Sequence, residues 1–148
     1  MNFKYVISLC LLCMVSIRVS AQVEKKVYQT LVINDSTKQI HFNFSDSCVI
    51  TYWKQEDKIM VETFVLMGVK NEEIITNLAN EGRYSIVSEN RTSVNTLKFA
   101  AKRPVLKKPK GGVIPENVVV NIYLPESFEL KNEVAYRTAT EIMMARKQ

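Results

Sequence analysis

From Val27 to Leu124 apolar and polar residues alternate with a period of two over most of the chain. That is the pattern of strands with one buried face. Val27–Ile33 opens the series and gives way to Asn34-Asp35-Ser36, whose short side chains bond their own backbone and favour a turn. Lys38–Phe44 alternates cleanly, with Ile40, Phe42 and Phe44 on one face and His41 and Asn43 on the other. Cys48–Trp53, rich in β-branched and aromatic residues, and the longer Lys58–Met67 are separated by polar Gln55-Glu56-Asp57. Strands resume at Tyr84–Ser88 and Val94–Ala101, and Asn117–Leu124 sets Val118, Val120, Ile122 and Leu124 on one side. Pro125 ends that run, because proline has no N–H to give the ladder.

Between the fourth and fifth runs the period lengthens. Asn71 is a capping residue, and Glu72 and Glu73 complement the positive end of a helix dipole. Ile74, Ile75 and Leu78 share a helical stripe, and Gly82 is a C-terminal stop. One short helix is predicted, at about 72–80. Past Lys131 both signals coexist: Val134, Tyr136 and Thr138 alternate, whereas Glu141–Arg146 holds helix formers. The fold expected is mostly β, an antiparallel β-sandwich or a short β-solenoid with one short helix.

The first residues follow another logic. Lys4 precedes an uncharged apolar run from Tyr5 to Ile17, and Val19-Ser20-Ala21 then offers a peptidase site. Residues 1–21 are expected to be a signal peptide and residues 22–148 a single β-rich domain. The apolar run holds 13 residues, fewer than the roughly 18 a spanning helix needs, so no transmembrane segment is expected after cleavage. Export to the periplasm, cell surface or medium of a Gram-negative bacterium is the expected destination. Losing Lys4 and Arg18 lowers the formal charge from +5 to +3, too little to imply nucleic acid. Cys10 and Cys13 leave with the signal, so Cys48 has no internal disulfide partner. Its apolar neighbours predict a buried, inert thiol.

The familiar catalytic and nucleotide-binding motifs are absent from the sequence. The lone histidine, His41, lies on a polar strand face, and His41, Asp46 and Cys48 lack the tight pairing of metal ligands. A non-enzymatic protein is expected, with no catalytic residues, no metal and no cofactor. One segment carries functional direction. Lys102, Arg103, Lys107, Lys108 and Lys110 crowd a loop stiffened by Pro104 and Pro109, and the nearest acids in sequence are Glu89 and Glu116. These five cations cannot all find carboxylate partners locally, so the loop is expected to keep a positive potential and to attract anionic glycan or lipopolysaccharide. No aromatic residue is interleaved among them, which argues against stacking on single-stranded nucleic acid.

The runs Gln39–Phe44, Val49–Trp53 and Ile59–Val65, then Tyr84–Val87 and Leu97–Ala100, lead to Val118–Leu124 closed by Pro125. This order resembles the secreted bacterial adhesin family whose head domains form β-solenoids or stacked β-sheets. The resemblance spans roughly residues 27–130. It covers the N-terminal portion only, because the Gly- and Asp-rich repeats that follow the Leu-Pro ending in such proteins do not occur here. It implies an adhesin-like binding module and carries no catalytic residues with it. The alternative is a periplasmic structural or inhibitory subunit that pairs with another protein chain by β-strand addition.

Overall fold

A computed structural model of the chain describes residues 22–55 and 57–138. The expected signal peptide and the region 139–148 lie outside the described residues.

Among the described residues nine strands and one helix follow in the order β1 (Val23–Val32), β2 (Gln39–Asn43), β3 (Ser47–Trp53), β4 (Lys58–Met67), α1 (Glu72–Asn80), β5 (Ile86–Arg91), β6 (Val94–Phe99), β7 (Glu116–Pro125), β8 (Phe128–Lys131) and β9 (Val134–Arg137). They form a sandwich of two sheets. One has the order β1-β4-β7-β3 and the other β5-β6-β2-β9-β8. The fold is therefore mostly β, as the alternation implied. The sandwich, rather than the solenoid, is the arrangement formed.

Alternation explains the core. On β4, Ile59, Val61, Val65 and Met67 are buried, with Val61 opposite buried Ile122, Thr63 opposite buried Val120 and Val65 opposite buried Val118 of β7. The opposing sheet supplies Ile40, Ile86, Leu97, Phe128 and Ala135, all buried. Each larger side chain among these contributes about 1.5–3 kcal/mol on leaving water.

Most ladders are antiparallel, but both sheets are mixed. Two ladders are parallel, β2 with β6 and β3 with β7. The chain crosses between sheets after β1, β2, α1, β6 and β7, so among the described residues only β5–β6 and β8–β9 are sequential hairpins. Periodicity reports which face of a strand is buried and says nothing of which strand lies beside it.

α1 has the predicted ends. The Asn71 side chain accepts the Glu73 N–H at 2.9 Å. Beyond the last turn, Gly82 takes φ +84°, Gly82 N–H bonds Ala79 O, and Arg83 N–H bonds Leu78 O. This pair of bonds is a Schellman cap, which favours glycine because a side chain there would clash. Ile75 is buried, and Lys25 of β1 holds α1 through Glu72 and Thr76, both at 2.8 Å. Next to it Gln29 joins the two sheets, its Oε1 accepting the Ile86 N–H at 2.7 Å.

Candidate functional site

The basic segment is a hairpin with a fixed base and a charged tip. Arg103, Lys102, Lys107, Lys108 and Lys110 all fall on it, but the structure divides them into two groups. Lys107 and Val113 form a bridge, Ile114 N–H bonds Leu106 O at 2.9 Å, and Lys108 N–H bonds Gly112 O at 3.0 Å. Gly111 and Gly112 close the turn at φ +87° and +88°, a conformation that disfavours any other residue. Lys107, Lys108 and Lys110 are exposed at this tip, and Lys102 is exposed at the base.

The base is locked by a buried cluster. The α1 cap delivers Arg83 and Tyr84 to Glu116, the first residue of β7. Arg83 meets Glu116 in two parallel hydrogen bonds, Nε to Oε1 at 3.0 Å and Nη2 to Oε2 at 2.7 Å. The Tyr84 hydroxyl donates to the same Oε1 at 2.6 Å. Arg83 Nη2 also donates to the Pro104 carbonyl at 2.8 Å, which pins the start of the hairpin. Burial alone would raise the Glu116 pKa, but hydrogen bonds from Arg83 and Tyr84 and the charge of Arg83 outweigh it, so the carboxyl titrates below its ordinary value. Tyr84 is pushed up, first by burial and then by its bond to Glu116. Below the cluster Gly68 N–H bonds Pro115 O at 2.9 Å. A Cβ on Gly68 would meet Pro115 Cγ at 2.5 Å, so the close approach requires glycine.

Arg103 is the cation of the five that the fold pairs. It is not an unpartnered cation: its guanidinium pairs with Asp46 and lies over the Phe99 ring, 4.3 Å from the centroid. Sequence proximity could not reveal this, because Asp46 stands 57 positions away on the β2–β3 connection. Among the described residues Lys102, Lys107, Lys108 and Lys110 make no ion pair. Lys102 and Arg103 share a shallow depression of about 640 Å³ with Asn43, Ser45, Lys98 and Phe99. Lys98 escaped the sequence reading and is itself paired with Glu89. Two exposed aliphatic residues on the hairpin, Val105 and Val113 (66% and 58% exposed), were also missed. Their isolation from any alternating run was the available signal.

Cys48 corrects an expectation. The expected buried thiol is exposed. Its register beside Val120 turns it toward the sandwich interior, but β3 is the last strand of its sheet. Desolvation still pushes the thiol pKa up to about 11, so at neutral pH it is protonated and a poor nucleophile. His41 contacts Gln39 at 3.3 Å and Asp46 is held by Arg103. Among the described residues no three His, Cys, Asp or Glu side chains form a metal-sized cluster, and no helix is long and apolar enough to cross a membrane. No known protein family, curated protein or solved structure matches this chain.

Proposed function

We propose that this chain is a non-enzymatic, adhesin-like binding module of a bacterial envelope, and that its hairpin tip meets an anionic glycan or lipopolysaccharide. The observation that carries this reading is the contrast in pairing along the hairpin. Arg103 is consumed by Asp46, whereas Lys107, Lys108 and Lys110 are exposed, close in sequence and without acidic partners among the described residues. Their field reaches roughly 8 Å at physiological ionic strength. Exposed Val105 and Val113 on the same hairpin suit an amphiphile bearing phosphates and acyl chains, which favours lipopolysaccharide over a purely polar glycan. Secretion and the single-module organisation belong to the same proposal and are supported by the residue order at Lys4, Tyr5–Ile17 and Val19–Ala21.

The test is binding of the exported protein to lipopolysaccharide and to heparin at low and moderate salt. Replacing Lys107, Lys108 and Lys110 by Gln is expected to weaken binding on the order of tenfold, with the wild type losing affinity as salt rises. Equal binding by both proteins, or none by either, would reject the reading.

A second reading, pairing with a partner by strand addition, is favoured by one observation. β3 ends its sheet, and its seven residues include no charged side chain.

A further inference from the structure

Among the described residues the sandwich has four edge strands, β1 and β3 on one sheet and β5 and β8 on the other. An edge strand presents unpaired backbone donors and acceptors, and proteins blunt it with charge, brevity or a covering element. β1 carries Glu24, Lys25 and Lys26 and has α1 held against it. β5 carries Glu89 and Arg91. β8 has only four residues, two of them Glu129 and Lys131. Among the described residues β3 uses none of these devices. Its residues Ser47-Cys48-Val49-Ile50-Thr51-Tyr52-Trp53 include no charge, proline or glycine, and most are strong strand formers.

The side chains of β3 are also unfinished business for the sandwich. Cys48, Ile50 and Tyr52 align with Val120, Ile122 and Leu124 of β7 and so face inward. Yet Tyr52 is 45% exposed and Cys48 is exposed. Beside them runs an open groove of about 380 Å³ that Cys48 and Ile50 line together with Phe42, Phe44 and Leu130, with Asp46 and Glu133 also on its wall. Outward-facing Val49 is 51% exposed.

We propose that β3 is a pairing edge whose occupant is β3 of a second copy of this chain, antiparallel to it about a two-fold axis at Ile50. The proposal rests on the strand-addition reading and adds the strand, the partner and the register. Only this register pairs all seven residues: Ser47 with Trp53, Cys48 with Tyr52, Val49 with Thr51, and Ile50 with its own counterpart. Self-pairing of a charged strand sets like charges near one another, and β3 has none to oppose. The joined sheet would run β1-β4-β7-β3 and continue into the same four strands of the partner in reverse, a closed two-fold assembly.

Sedimentation equilibrium of the exported protein tests this with two charge variants at exposed, outward-facing positions. The wild type is expected to dimerise. Val49→Lys with Thr51→Lys sets lysine opposite lysine twice, and the dimer should weaken by on the order of tenfold or more. Val49→Lys with Thr51→Glu sets lysine opposite glutamate in this register and should recover the dimer. Circular dichroism would show that both variants fold. A dimer indifferent to both variants overturns the proposed interface. Glu126 N–H bonds Trp53 O on the β7 side, so it is the alternate amides of Cys48, Ile50 and Tyr52 that face the edge. A monomer in which these already resist hydrogen exchange would assign the edge to another segment of the same chain and overturn the proposal. A monomer with unprotected Ile50 and Tyr52 amides that captures a different envelope protein, lost in the lysine pair, rejects the second copy and leaves strand addition standing. A monomer that captures nothing through β3 rejects both.

Discussion

The base and the tip of one hairpin hold charges of the same sign in opposite circumstances. At the base, Arg83 is 7% exposed and meets Glu116 at 2.7 Å, and Arg103 lies between Asp46 and Phe99. At the tip, Lys107, Lys108 and Lys110 face water around two left-handed glycines. A buried cation whose hydrogen bonds are all directed inward fixes the fold. An exposed cation on a fixed support adds almost nothing to folding and keeps its field for something else. Counting basic residues in sequence merges these two kinds, and only their partners separate them.

Breaking the base should have the largest effect. Glu116→Ala would leave Arg83 buried without its carboxylate, and removing one member of such a pair costs about 3–5 kcal/mol. Urea denaturation would show it as a large fall in midpoint. A loss below 1 kcal/mol would mean that the cluster is not holding the hairpin.

Acid sharpens the same point. Glu116 titrates below its ordinary value because Arg83 and Tyr84 overcome the effect of burial. A depressed native pKa contributes stability above the unfolded value of about 4.3, and that stability is lost as pH falls through the native value. Stability should therefore drop from near pH 5 downward. Glu116→Gln, which cannot titrate, should be less stable at pH 7 and show a shallower acid slope in the same melts.

Arg103→Ala should cost less, roughly 1–2 kcal/mol, since it removes one ion pair near the surface and one cation–π contact. Differential scanning calorimetry would register a modest fall in Tm. The smallest change belongs to the tip. Replacing Lys107, Lys108 and Lys110 by Gln should leave stability within about 0.5 kcal/mol of wild type in the same scans. A destabilisation comparable to Arg103→Ala would erase the distinction between base and tip.

How much of this was legible in the sequence depends on how local the cause was. The strands from Lys38 to Met67 and the α1 ends at Asn71 and Gly82 were legible, because alternation and capping act over a few residues. β1 begins at Val23, four residues before the expected start, because Lys25 turns inward to bond Glu72 and Thr76 of α1, a partner that no alternation rule anticipates. β8 was missed, and its hairpin with β9 turns through Asn132 and Glu133 at φ +49° and +64° without the glycine that usually marks such a turn. Cys48 was assigned the correct face and the wrong exposure, since burial also requires an opposing sheet. At the site, the five cations were legible as a group. Their division was not, because Arg103 finds Asp46 across 57 positions and Arg83 finds Glu116 across 33.

The central claim is that the tip, and not the base or a sheet face, receives an anionic ligand. Backbone amide shifts recorded during titration with lipopolysaccharide, at low salt and again at moderate salt, test it most directly. The expected result is a set of salt-sensitive changes centred on Lys107–Gly112 and extending to Val105 and Val113, with the Arg83–Glu116 cluster unmoved. Changes centred on β3 or on the outer sheet faces, with the tip silent, would contradict it.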